Sequence, residues 1–167
     1  FVSLLKQNDG TRRMLRKKDV RAVLQSILLP DGLNFSGLPK ALISFHAYRG
    51  GEVRTALEEH LREAADLIAD RRGVCRLHFT VSAEHVQPVK SFLRLMVPRL
   101  EESCGVRFHV DLSLQSPSTS IVAADGQSRP FRDEDAGLVF RPGGHGALLQ
   151  NLQAIDADLI FVKNIDN

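Results

Sequence analysis

Apolar residues recur along this chain at two spacings, and the change from one to the other divides it into elements. Val20, Val23, Leu24 and Ile27 stand three and four positions apart, so roughly the first 30 residues are expected to be helical. "LPDGLNFSGLP" (29–39) supplies Pro and Gly punctuation and reads as a loop. "ALISF" (41–45) is a short apolar strand, ended by "RGGEVR". Thr55-Ala56-Leu57-Glu58 then spells a capping box, in which the Thr oxygen accepts the amide of the fourth residue and the Glu reaches back to the cap. Leu57, Leu61, Ala64, Ala65 and Ile68 continue from it as a buried stripe at helical spacing, with Gly73 as the stop.

The second half repeats this alternation. "VCRLHFTV" (74–81) is rich in β-branched and aromatic residues, which predicts a strand. A helix from about Ala83 to Ser103 follows, with Pro88 suited to its first turns and Pro98 expected to kink or interrupt it. "VRFHVDLSLQ" (106–115) alternates apolar with polar positions, as a strand with one wetter face does. "STSIVAA" is a further strand candidate, and "DGQSRPFRDEDAG" is a polar loop. A helix after Gly146 and a strand "DLIFV" (158–162) complete the series.

Strand, helix, strand, helix, strand is the order of an α/β fold with parallel pairing, and right-handed crossovers place helices on both faces of the sheet. The expectation is a three-layer, Rossmann-like, mainly parallel mixed sheet. Residues 1–32 would be a helical lead-in and residues 33–167 the α/β domain. Ligands of such sheets gather beyond the carboxyl ends of the strands. That rule singles out Ser82, Gln115, and Asn164 with Asp166.

The bulk numbers exclude several classes. A length of 167 residues suits one domain, and 43% hydrophobic with 25% charged residues is ordinary for a globular protein. A net charge of +2 does not call for a nucleic-acid or anionic-membrane partner. The one strongly basic run, "RRMLRKKDVR", reads as a solvated helix face rather than a phosphate site. Cys75 and Cys104 give neither a disulfide framework nor metal spacing, which suggests a reduced, cytoplasmic setting. No apolar run approaches the ~20 residues that span a bilayer. The chain starts at Phe1 and stops directly after an expected strand, so it reads as a piece of a longer protein whose remainder would be a partner.

Three places offer chemistry. In "RPGGHGALLQNL", Gly143, Gly144, His145 and Gly146 precede a helix, and glycines there let backbone amides approach a phosphate, a ribose or a base edge. The alternative is a tight connection in which glycine only relieves strain, and neither standard Gly-rich fingerprint is present. Asp166, past an apolar strand and between Asn164 and Asn167, can hold a hard divalent cation, or can simply form a turn. Lys40, after Pro39, can neutralise a phosphate, or can be an exposed loop lysine. His46, His60, His78, His85 and His109 show no metal-ligand spacing. His78 and His109 read as packed strand residues, and His60 as a solvent-facing one. No serine has a nucleophile-elbow setting.

Taken in order, "GLPKAL", "HFTVSAEH", "LSLQSPS" and "RPGGHGALLQNL" followed by "IFVKNIDN" resemble the UDP-sugar pyrophosphorylases of the nucleotidyltransferase superfamily, over roughly residues 33–167. A closer resemblance, through "LPKALISFH", "RTALEEHL", "PFRDEDAGLVFRPGGHGALLQNL" and "DADLIFVKNIDN", is to a bacterial family known only as a domain of unknown function. The first resemblance implies that Gln115 and Gly144 contact a uracil edge and that His145 lies near the ribose or sugar. It implies that Gly143, Gly146 and Ser82 line the same nucleotide site, that Asp166 binds Mg2+, and that Lys40 balances phosphate charge. The implied reaction joins a sugar 1-phosphate to UTP with release of pyrophosphate, with a non-catalytic nucleotide-sugar binder or a scaffold as alternatives. Two departures stand out. The superfamily's glycine-rich phosphate loop has no counterpart upstream of Lys40, which predicts that this piece alone is inactive, and Ala147 replaces an aspartate common after Gly-His-Gly.

Overall fold

The computed structural model describes residues 13, 17 and 19–166, with residue 45 described by its backbone alone. Half of the basic run "RRMLRKKDVR" (residues 12, 14–16 and 18) and Asn167 lie outside the described residues. The fold is mixed α/β. Its main elements are helix α1 (Val20–Leu28), strands β1 (Ser44–Ala47) and β2 (Val53–Thr55), helix α2 (Ala56–Leu67), strand β3 (Val74–Val81), helix α3 (Val86–Cys104) and strand β4 (Arg107–Leu114). Strands β5 (Ile121–Val122) and β6 (Phe140–Arg141) and helix α4 (Leu149–Gln153) follow. Among the described residues the strands form three two-stranded sheets, β1-β2, β3-β4 and β5-β6. The chain divides into two compact units: residues 1–77, 87–109 and 162–167 form the first, and residues 78–86 and 110–161 the second.

In the first unit, β1 and β2 make an antiparallel hairpin around the turn at Tyr48 to Glu52. The expected strand 41–45 therefore begins three residues later, because Lys40–Leu42 coils into a 3-10 turn after Pro39. The return strand was not anticipated: "RGGEVR" is a hairpin rather than only a break. The capping box is half formed. Thr55 Oγ1 accepts the Glu58 amide at 3.2 Å, but the Glu58 carboxylate turns outward to Arg62, accepting from Nε at 3.1 Å and Nη2 at 2.9 Å. Glu58 is buried, so this guanidinium supplies the compensation a buried charge requires.

Leu57 and Leu61 are fully buried and Ala64 nearly so, as the stripe on α2 requires, and they share the core with Cys75, Val89, Leu93 and Leu100. Every buried apolar side chain among the described residues lies in this first unit. α3 runs without a break through Pro98, which faces solvent, so the expected interruption does not occur. On α1, Ile27 is buried while Val20 and Leu24 remain exposed.

Between α2 and β3, Asp70 organises the turn. Its carboxylate accepts the amides of Arg72 (2.8 Å) and Val74 (2.9 Å) and pairs with Arg76 Nη1 at 3.0 Å. The Val74 amide first, and then Arg76, hold its pKa down from 3.8 to about 2. A carboxyl lowered on folding stabilises the native state above its unfolded value, and that contribution disappears as pH falls through the folded value. The Asp70 carboxyl should therefore titrate by NMR near pH 2, with its stabilising effect lost between pH 3.8 and about 2. A midpoint at 3.8 would show that the turn does not hold the carboxylate.

β3 and β4 are parallel. Arg107 N donates to Gly73 O at one end and Gln115 N to Val81 O at the other, the same offset along both strands. This is the pairing expected of the strand, helix, strand run through α3. In the second unit, the polar loop is ordered by two Asp-led turns. Asp125 accepts the amides of Gln127 and Arg129, and Asp133 those of Asp135 and Gly137. The antiparallel β5-β6 pair lies beside them.

The expected strand 158–162 is absent. Its backbone makes no hydrogen bond among the described residues, and Leu159, Phe161 and Val162 are 73–74% exposed. An apolar run states a preference for β structure, but a strand exists only where a neighbour completes the ladder.

Candidate functional site

The candidate residues fall into two groups, one in each unit. In the first unit, Lys40 Nζ donates to Asp166 Oδ2 at 2.9 Å across 126 positions of sequence. Pro39 holds extended backbone (φ −65°, ψ 150°) and aims the turn that carries Lys40. Asp166 stands in the turn after Asn164. Both side chains are open to solvent, 66% and 42% exposed.

Helix α2 grips the segment leading to Asp166. Lys163 Nζ donates to both oxygens of Glu63, at 2.8 and 2.7 Å, and this ammonium holds the Glu63 carboxyl below the ordinary range. His60 Nε2 lies 3.1 Å from the Ile165 carbonyl. A carbonyl only accepts, so Nε2 carries the proton. The His60 side chain is only 12% exposed, which corrects its reading as a solvent-facing residue. His60 shares a helix face with buried Leu57 and Ala64, three positions before it and four after.

In the second unit, the bond from Gln115 N to Val81 O ends the β3-β4 ladder. Ser82 and Gln115 therefore sit together at the carboxyl ends of two parallel strands, where the strand-end rule places ligands. The Gln115 side chain reaches on, donating from Nε2 to Gly143 O at 3.3 Å and to Thr119 Oγ1 at 3.4 Å. Ser82 Oγ is 2.8 Å from His85 Nδ1. His145 and Gly146 open the 3-10 turn His145–Leu148, exposed to solvent.

Residues that the sequence did not single out complete this group. Asn151 Nδ2 donates to Ser113 Oγ and to Leu114 O, both at 2.8 Å, tying α4 to the end of β4. Ser113 Oγ also meets His78 Nε2 at 2.7 Å and Thr80 Oγ1 at 3.1 Å. His78 is thus a satisfied strand histidine, as expected. Together Gln115 and Asn151 fix the Gly-rich loop from both sides. The available signal was the polar side of "VRFHVDLSLQ": a serine one turn of the pleat before the glutamine.

Among the described residues no three His, Cys, Asp or Glu side chains converge to hold a metal ion. Cys75 is buried, and burial pushes its thiol up in pKa, away from nucleophilic use. No helix among the described residues is long and apolar enough to cross a membrane.

Residues 2–167 match the family described as Domain of unknown function (DUF4301). The chain belongs to that family. No curated protein and no solved structure gives a significant match.

The two leading glycines of the DUF4301 loop have different reasons for being glycine. A Cβ on Gly143 would stand 2.4 Å from Thr119 O and 3.0 Å from Ala147 Cβ, so the loop depends on its absence. A Cβ on Gly144 would meet nothing within 4 Å, and its φ of −70° suits any residue. Gly143→Ala should therefore lower stability by about 1–3 kcal/mol, the usual cost of forcing an extra carbon into a filled space. Gly144→Ala should melt like the wild type. Equal destabilisation by both substitutions in thermal unfolding would show that the loop is not packed this way.

Proposed function

We propose that this DUF4301 protein is a nucleotidyltransferase of the UDP-sugar pyrophosphorylase type, with the β3-α3-β4 unit as part of a three-layer Rossmann-like fold. A sugar 1-phosphate oxygen attacks the α-phosphorus of UTP. The bond from that phosphorus to its bridging oxygen breaks, and pyrophosphate leaves. The observation that carries the reading is the meeting of Lys40 with Asp166: the superfamily-like Pro-Lys and Asn-Ile-Asp-Asn motifs, 126 residues apart, deliver a cation and a carboxylate to one point.

Mg2+ suits this arrangement only in one form. It prefers oxygen ligands and is commonly held by one or two carboxylates plus phosphate oxygens and water. Asp166 offers one such carboxylate, fitting an ion that arrives with the nucleotide and neutralises phosphate charge. Lys40 shares that work as a fixed ammonium. Gln115 and the backbone of Gly144 take the base, His145 the ribose or sugar side, and Gly143, Gly146 and Ser82 line the same nucleotide site. The backbone at Gly144 is open, since a Cβ there would meet nothing within 4 Å, which leaves room for a base edge to approach.

The test is a panel of nucleoside triphosphates and sugar 1-phosphates supplied with Mg2+ to the full-length protein, with pyrophosphate measured. Release with UTP and one sugar 1-phosphate supports the proposal. UTP or UDP-sugar binding by calorimetry without turnover replaces it with a non-catalytic nucleotide-sugar binder. Neither binding nor turnover leaves a scaffold.

A further inference from the structure

The segment that carries Asp166 has no strand ladder to hold it: residues 156–164 make no backbone hydrogen bond among the described residues. Side-chain contacts help to set its position. Two of the contacts, Lys163 with Glu63 and Lys40 with Asp166, are ion pairs between groups 39–66% exposed. Such pairs fix geometry weakly, because water competes for both partners. A more enclosed contact comes from His60, whose side chain is 12% exposed and stands on α2 between buried Leu57 and Leu61. Its target, the Ile165 carbonyl, belongs to the same planar peptide as the Asp166 amide. Holding that oxygen fixes the plane from which the Asp166 side chain departs.

We propose that His60 is a positioning residue for Asp166, acting through the Ile165 carbonyl to set where the carboxylate stands beside Lys40. This rests on the reading of Asp166 as the group that receives a nucleotide-borne cation. His60 touches neither that cation nor the nucleotide. The requirement on its side chain is specific: a donor at the position of Nε2, supplied equally by the amide of glutamine and by no group of alanine.

The test compares His60→Ala, His60→Gln and Asp166→Asn in the full-length protein by two readouts. The first is the 15N order parameter of the Asp166 amide without metal or nucleotide. It should stay near the ~0.85 of rigid backbone in wild type and His60→Gln and drop below ~0.6 in His60→Ala. The second is Mn2+ binding in the presence of UTP, followed by electron paramagnetic resonance. His60→Ala should bind about tenfold more weakly or worse, as is usual when the support of a metal ligand is removed. His60→Gln should remain within about threefold of wild type on the same scale.

An order parameter unchanged in His60→Ala overturns the inference whatever the metal does. So does a His60→Gln protein as weak as His60→Ala, which would make the ring a packing element only. Wild-type Mn2+ affinity in His60→Ala, with affinity lost in Asp166→Asn, rejects the role of His60 while sparing that of Asp166. Wild-type affinity in Asp166→Asn removes the cation reading itself, and the inference with it.

Discussion

Under the proposed reaction, Asp166→Asn and Lys40→Ala in the full-length protein are each expected to lower pyrophosphate release from UTP and a sugar 1-phosphate by about 10²–10³-fold, the usual cost of deleting one group that neutralises charge in a transition state. Neither should change the melting temperature appreciably. The two side chains are 42% and 66% exposed, and an ion pair so open to water contributes about 0–1 kcal/mol. That separation of effects makes the experiment decisive, since loss of rate cannot then be assigned to loss of fold. Asn keeps the shape of Asp and removes only its charge. Ala at position 40 removes the ammonium and leaves the turn set by Pro39. A rate above a tenth of wild type in either variant would take that residue out of the chemistry.

Leu61→Ala should cost about 2–5 kcal/mol, the range for truncating a fully enclosed leucine where the surroundings only partly collapse. Leu61 has no exposed surface and lies in the first unit, which holds all the buried apolar side chains among the described residues. Leu67, at the end of the same helix, is 71% exposed, and Leu67→Ala should stay within about 0.5 kcal/mol of wild type. Urea midpoints of the two variants measure the contrast. If they fall together, α2 does not pack by the face carrying Leu57 and Leu61.

The elements with a clear internal period were legible in the sequence. "VCRLHFTV" is β3 residue for residue, and the stripe from Leu57 to Ala64 is the buried face of α2. Both signals are local: pleat alternation and helical spacing act within a few residues. What depended on distant partners was not legible. "DLIFV" has the composition of a strand but no neighbour to pair with among the described residues, and the hairpin of β1 and β2 is decided by pairing across a turn. His60 was misplaced for a related reason. Its flanking glutamates suggest an exposed face, while its ring is turned toward Ile165, 105 residues away. The candidate residues themselves were found through motifs, and their contacts show how local the support is. Gln115 and Gly143 meet in one unit, and Lys40 and Asp166 in the other.

The uncovered stretch from Leu159 to Val162 also bears on how the molecule behaves in company. Four bulky apolar residues in a row, uncharged and without proline, share the composition of fibre-forming segments but are shorter than the roughly six or seven residues these span. Asp158 and Lys163 bracket the stretch as gatekeepers, because stacking in register would pile like charges on one another at both ends. Lys163 is also the residue that grips Glu63, so the same ammonium that pins this segment to α2 places a charge at the edge of the apolar run.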